Sequence, residues 1–232
     1  MKVLGIDTSG PGCSVALLRG EAVVAQEWLR AGARASREML PALDRVLARA
    51  GVDLADVDAF AAVRGPGSFT GLRVGLATAR GLAMATGLPA AGFCALDLLV
   101  GQVPEGASHA CAWIDAGRGE IFCAAYVREN GLWCRRGSYE LCEAGQAVQA
   151  ALRGAFIGSA ADRYRERIEA RGDGFRVVVH RSYLAEDAAR AWARECAAGR
   201  RPGPESLRPL YIRPSDAERR RRWPAIRSEP SA

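Results

Sequence analysis

The chain carries one pattern twice, and that duplication limits its fold more than any other feature. "LGIDTSGPGCSVALLRGEAVV" begins at Leu4 and "AWIDAGRGEIFCAAYVRENGLW" at Ala112. Each reads as an apolar strand ending in Ile-Asp, a glycine-containing turn, a second apolar strand, a polar turn with glycine, and a third strand. Ile6-Asp7 falls on Ile114-Asp115 without a gap. Both triplets lead into the same succession of helix, strand and helix. In the first copy these are "SREMLPALDRVLARA" at 36–50, "VDAFAAV", a helix over Phe69 to Thr86, "AAGF" and "ALDLLVGQV". Met39, Leu40, Leu43, Val46 and Leu47 share one face of the 36–50 helix, and Gly51 ends it. Ser36 can cap its start, but Pro41 falls late for a first-turn proline and moves the expected start a few residues on. The second copy continues with a helix near Glu143–Arg153, then "AFIGSA", "DRYRERIEA", "FRVVV" and "LAEDAARAWARECAA". Two βββ-α-β-α units of this length predict duplicated α/β domains rather than a solenoid, which needs shorter and more numerous repeats. Proline and glycine gather in "GQVPEGA" at 101–107 and in "GRRPGPES" at 199–206. These breaks divide the chain into units at 1–104 and 105–200 and a terminal segment at 201–232, in which "LRPLYIRP" reads as a return strand or a strap.

With 49% hydrophobic and 25% charged residues the composition is that of a globular protein. No run approaches ~18 apolar residues, and Asp7 comes too early for a secretory apolar region, so the expectation is a cytoplasmic protein with no membrane partner. The seven cysteines, at 13, 94, 111, 123, 134, 142 and 196, form no C-x-x-C pair and read as reduced thiols, mostly core filler. A net charge of +6 permits an acidic partner or nucleic acid, but only "ERRRRW", Glu218–Trp223, is densely basic. That cluster is either a solvated tail or a contact for RNA or an acidic protein face.

The stretch "AVRGPGSFTGLRVGLATARGLA" at 62–83 supports two readings. A strand, a Gly-Pro-Gly turn and a helix opening with Ser and Thr would aim free N–H groups and a helix dipole at an anion. Asp7, Thr8, Ser9, Gly65, Gly67 and Ser68 would then form a phosphate site, vestigial in the sense that the motif is incomplete. There is no Lys where a P-loop needs one, and the glycine spacing at 65, 67 and 71 differs from G-x-G-x-x-G. The second reading concerns the helix. Gly71, Gly75, Thr78 or Ala79, and Leu82 lie near one stripe, and glycine within a helix costs up to ~1 kcal/mol against alanine. Such a stripe makes room for another backbone, either the protein's own sheet or a partner's helix.

Catalytic groupings are sparse. His109 and His180 form no metal pair at helical spacing, and Ser68 has no G-x-S-x-G elbow, so it reads as the cap of the helix that follows. Asp7 and Asp115, each at a strand end, can bind Mg²⁺ through water, or can satisfy their own glycine-rich turns. An ATP-dependent small-molecule kinase or nucleotide hydrolase, with Asp7 on Mg²⁺ and the turns on phosphates, is the rival to a purely partner-binding chain.

"LGIDTSGPGCSVAL", "GPGSFTGLRVGLATARGLA", "WIDAGRGEIFCAAY", "FIGSA" and "PLYIRPSDA" resemble, in order and over almost the whole chain, the TsaB (YeaZ) family. "GPGSFTGLRVG" is the most specific of these matches. The resemblance implies the actin-like ATPase and sugar kinase fold, with two βββαβα domains. It also implies a non-catalytic subunit in making the threonylcarbamoyl modification of adenosine 37 in ANN-reading tRNAs. Such a subunit binds and activates the catalytic TsaD subunit, with the ATPase TsaE joining them, and forms a homodimer when alone. It needs no cofactor of its own, any ATP in the assembly being bound mainly by partners, and it meets tRNA indirectly or through the basic tail. Where family members often carry His-Ser-like residues before the first helix's "LLP", this chain has Ala35-Ser36-Arg37, one step further from metal chemistry. The family's contact through its first two helices points here to Met39, Leu40, Leu43 and Leu47, and to Gly71, Arg73, Val74, Gly75, Ala77 and Arg80.

Overall fold

A computed structural model describes residues 1–29 and 35–213. The basic cluster at 218–223 lies outside the described residues. In the first half, β1 (Lys2–Asp7), β2 (Cys13–Arg19) and β3 (Ala22–Leu29) are antiparallel neighbours, while β4 (Ala59–Val63) and β5 (Ala90–Phe93) add in parallel on the other side of β1. The sheet order is β3-β2-β1-β4-β5. The second half repeats it with β6 (His109–Gly117), β7 (Glu120–Glu129), β8 (Leu132–Glu143), β9 (Gly154–Ile157) and β10 (Phe175–Val177), in the order β10-β9-β6-β7-β8. The strand carrying Ile-Asp is central in both sheets, and for that reason it is apolar almost throughout: Val3, Leu4 and Ile6 are buried, as are Ala110, Ala112 and Trp113.

Helices α1 (Ala35–Ala50) and α2 (Phe69–Thr86) cover the outer face of the first sheet. Their core takes Met39, Ala42, Leu43, Val46 and Leu47 from α1, Leu76 and Ala79 from α2, and Leu4, Ile6, Phe60 and Ala62 from the strands. The α1 stripe is turned slightly from the expected one, with Ala42 inside and Leu40 outside. Pro41 stands within α1 rather than before it, its ring exposed. The bounds of α2 are those expected, because Ser68 Oγ accepts from Gly71 N at 3.2 Å at one end and Gly87 turns left-handed at φ 72° at the other. In the second half, α4 (Ala144–Ala150), α5 (Ser159–Arg163) and α6 (Arg165–Glu169) cover the outer face. The single helix expected over "DRYRERIEA" is two, broken at Tyr164, whose ψ of 17° leaves the helical region.

The last helix of each half crosses over. α3 (Ala95–Val100) packs on β6 and β7 of the second sheet, whereas α7 (Ala185–Ala197), far along the chain, packs on β1, β2, β4 and β5 of the first. The helix at 185–197, read from sequence with the second unit, thus closes the inner face of the first sheet. One apolar cluster runs between the sheets, from Val3, Ala61 and Ala91 through Leu96, Leu99, Ala188 and Trp192 to Ala112 and Ile157. Gly5 permits the crossing: a Cβ there would stand 1.9 Å from the Ala185 carbonyl oxygen. Beyond α7 the chain forms a strap. A 3-10 turn at Pro204–Ser206 lies along β5, Leu207 is buried under α2, and Leu210 N donates to Arg64 O at 2.8 Å.

Candidate functional site

After Asp7 the chain turns beneath the start of α2 and touches it backbone to backbone. Ser68 N donates to Ser9 O at 2.8 Å, and Thr8 Oγ1 donates to Gly71 O at 2.7 Å. A Cβ on Gly67 would lie 2.3 Å from Ser9 O, one on Gly71 2.0 Å from Thr8 O, and one on Gly75 2.3 Å from Thr8 Oγ1. These distances are far below van der Waals contact, so only glycine fits at 67, 71 and 75. The stripe therefore accommodates the protein's own turn. Gly71 and Gly75, read as partner contacts, instead face inward.

Asp7 is buried with both carboxylate oxygens engaged. Oδ1 accepts from Ser9 N at 2.8 Å and Ser9 Oγ at 2.6 Å, and Oδ2 accepts from Leu184 N at 2.8 Å. Ser14 Oγ accepts from Ala185 N at 3.3 Å, so the two side chains take up N–H groups at the head of α7. Burial raises the Asp7 pKa above the usual carboxylate value, an effect that the bonds from Ser9 and Leu184 oppose. The second copy repeats the turn with a different partner: Asp115 Oδ1 accepts from Gly117 N at 2.8 Å and Oδ2 pairs with Arg163 at 2.6 Å. For both aspartates the turn reading matches these bonds.

Of the phosphate-site residues, Asp7, Thr8, Ser9, Gly67 and Ser68 do come together, but their polar groups face one another. Gly65 sits beside them at φ +106°, its would-be Cβ 2.9 Å from Leu72 Cδ1 and 3.1 Å from Leu210 O. Leu72 of α2 and the Leu210 carbonyl of the strap thus pack directly against Gly65.

The outward face of α2 is different. Arg73, Ala77, Arg80, Gly81 and Met84 are exposed, Met84 to 79%, and Leu40 of the adjacent α1 to 56%. Val74 is half-buried. Among the glycines of α2, Gly81 alone has open space where a Cβ would stand. Arg73 lies 3.9 Å from the centre of the Phe69 ring and donates from Nε to Tyr211 Oη at 3.2 Å, while Phe69 stacks on Tyr211 at 5.1 Å. Arg80 donates to Leu207 O at 3.1 Å. The strap thus fixes both arginines along an apolar strip of Ala77, Gly81 and Met84. Met39, Leu43 and Leu47 of α1, by contrast, are core residues and offer no surface for a partner. Sequence reasoning passed over Gly81 and Met84, although their four- and seven-residue offsets from Ala77 mark one helix face.

Among the described residues no group of three or more His, Cys, Asp or Glu is placed to hold a metal, and no helix is long and apolar enough to cross a membrane. His109 Nδ1 is hydrogen-bonded to Ser108 Oγ at 3.0 Å, and the His180 ring is buried.

Two βββαβα units whose terminal helices cross define a duplicated α/β fold of the actin-like ATPase kind. Residues 30–154 match the family model "TsaD: tRNA N6-adenosine threonylcarbamoyltransferase". The chain is 40% identical over 136 residues to the "tRNA threonylcarbamoyladenosine biosynthesis protein TsaB" of Escherichia coli, covering 57% of this chain and 58% of that one. It is 41% identical over 133 residues to the protein of the same name from Haemophilus influenzae, covering 56% of each. The matched region thus spans less than two thirds of these relatives. YeaZ from Pseudomonas aeruginosa superimposes with a TM-score of 0.75 at 28% identity, over 90% of this chain and 99% of that one. The chain belongs to the family that the matching model describes, and within it to the TsaB/YeaZ group.

Proposed function

We propose that this chain is the non-catalytic partner of a TsaD-type threonylcarbamoyltransferase, acting in the synthesis of threonylcarbamoyladenosine at position 37 of ANN-reading tRNAs. The observation that carries this reading is the α2 surface: an apolar strip of Ala77, Gly81 and Met84, flanked by Arg73 and Arg80 and continued by Leu40. A neighbouring helix can approach closely at Gly81, where no side chain intervenes. The names of the relatives support the pathway, and the match to a TsaD model supports a partner built on the same fold. The same face serves a homodimer when the chain is alone. A TsaE-type ATPase completes the assembly, and ATP is held mainly by those partners. Binding acts on the reaction by favouring one conformation of the transferase, which requires differential contact with that state. A specific interface would bury on the order of 1,200–2,000 Å².

The kinase or hydrolase reading finds less support, because Asp7 already accepts three hydrogen bonds from its own chain. The two readings separate in one set of measurements. The double substitution Ala77→Glu with Met84→Glu should weaken association with the TsaD-type subunit from the same organism by at least about tenfold, or ~1.4 kcal/mol. Modification of tRNA in the reconstituted assembly should fall with it, while circular dichroism stays unchanged. Unaltered association would remove α2 from the interface. Turnover of Mg-ATP by the purified chain alone would overturn the non-catalytic assignment.

A further inference from the structure

Three of the seven cysteines line up on one face of the second sheet. Cys111 lies on β6, Cys123 on β7 and Cys142 on β8, all half-buried against the same outer core. In the β7–β8 register Ile121 is opposite Cys142 and Cys123 is opposite Glu140, so Cys123 and Cys142 are diagonal neighbours on that face. Their Sγ atoms are 3.1 Å apart, well inside ordinary sulfur–sulfur contact and outside bonding distance. The register shifts immediately beyond Cys123, a bulge that locally bends the strand. Cys142 lies on an edge strand, next to Glu143, whose carboxylate caps α4 by accepting from Gly145 N and Gln146 N.

We propose that Cys123 and Cys142 form a peroxide-sensitive dithiol, a modification site that closes to a disulfide between β7 and β8. The hydrogen bond shared with Cys123 holds the Cys142 thiol below its ordinary value, against the opposing effects of burial, Glu140 and Glu143. The same bond and burial push Cys123 up. Cys142, on the edge strand β8 while Cys123 lies on the interior strand β7, is the attacking sulfur and Cys123 the resolving one. The Cys142 thiolate attacks one oxygen of hydrogen peroxide, the O–O bond breaks, and the departing hydroxide leaves as water after taking a proton. Cys142 becomes a sulfenic acid. Cys123, its proton lost, then attacks the Cys142 sulfur, the S–O bond breaks, and the second hydroxide is protonated to water. Two thiols lose two electrons in total, and one peroxide becomes two waters. The link ties the edge strand to its neighbour beside the head of α4.

Tryptic cleavage places the two sulfurs in different peptides, 119–128 and 137–153, each with a single cysteine. The intact chain is treated with hydrogen peroxide, its remaining thiols are alkylated, and the digest is read by mass spectrometry without reduction. The expected result is a 119–128/137–153 pair two hydrogens lighter than the sum of its peptides, abolished by dithiothreitol. Cys142 should be lost from the alkylated pool more than about tenfold faster than Cys196. With Cys123→Ser, Cys142 should stop at the sulfenic acid and take up dimedone. The idea is overturned if both thiols stay alkylatable while other cysteines oxidise, if Cys142 reacts no faster than Cys196, or if Cys123 links to Cys111 instead. The decisive arm uses the unsubstituted chain, so a Ser variant that folds poorly leaves the test standing.

Discussion

Gly75 and Gly81 sit on the same helix and invite opposite predictions. At Gly75 a methyl group would enter space held by Thr8 Oγ1 at 2.3 Å, so Gly75→Ala must turn the Thr8 side chain off its bond to Gly71 O, displace the β1 turn or tilt α2. That should cost about 1–3 kcal/mol in chemical denaturation of the isolated chain. At Gly81 the methyl group meets nothing, and Gly81→Ala should stabilise the isolated chain by up to ~1 kcal/mol through helix propensity alone. Glycine spacing announced a close approach at 71 and 75, but spacing carries no information about which backbone approaches. His180 gives a second residue-scale prediction. Its side chain is 4% exposed, and Nδ1 lies 3.5 Å from Asp162 Oδ2. Burial, with a smaller effect from Arg165, lowers its pKa below 6.5 against the pull of Asp162. Between the folded value and 6.5 the unfolded chain binds more protons, so this stability is complete above 6.5 and is lost as pH falls through that window. Unfolding free energies measured from about pH 7.5 to pH 5 should decline, and His180→Gln should flatten the decline.

α3 shows how one short helix joins the two sheets. Asp97 accepts hydrogen bonds from Tyr126 Oη at 2.7 Å and Tyr139 Oη at 2.6 Å, reaching two strands of the second sheet from a helix of the first half. Asp97→Ala would leave the buried Tyr126 hydroxyl without its acceptor, and should lower stability by about 1–3 kcal/mol in a denaturant titration. Nothing in "ALDLLVGQV" announces that bond, since the tyrosines lie on β7 and β8. Elements bounded by local chemistry were legible, such as α2 between the Ser68 cap and Gly87, or the paired turns at Asp7 and Asp115. Elements bounded by tertiary contact were not. The break at Tyr164 has no local signature, whereas "LRPLYIRP" left a return strand and a strap open and only its contacts at Leu207 and Tyr211 decide for the strap. The candidate surface was half legible, because apolar periodicity marks a buried face without naming what buries it. Met39, Leu43 and Leu47 went to the core, and Leu40 to the outside.

At the scale of the molecule, duplication was visible in the sequence and the crossing of the last helices was not. Both halves donate a helix to the other's sheet, so the central apolar cluster belongs to neither half alone. Gly5 against Ala185 and Asp7 against Leu184 bring opposite ends of the chain together at the centre of the first sheet. The crossing also sets a timetable for a chain made from its N-terminus. While the ribosome is still adding residues, β1, β2, β4 and β5 lack the helix that covers their inner face until α7, which begins 92 residues after the end of β5 (185 − 93), has emerged. Through that interval the nascent polypeptide exposes an apolar sheet that a chaperone must shield or that must wait, unfinished, for its own distant helix.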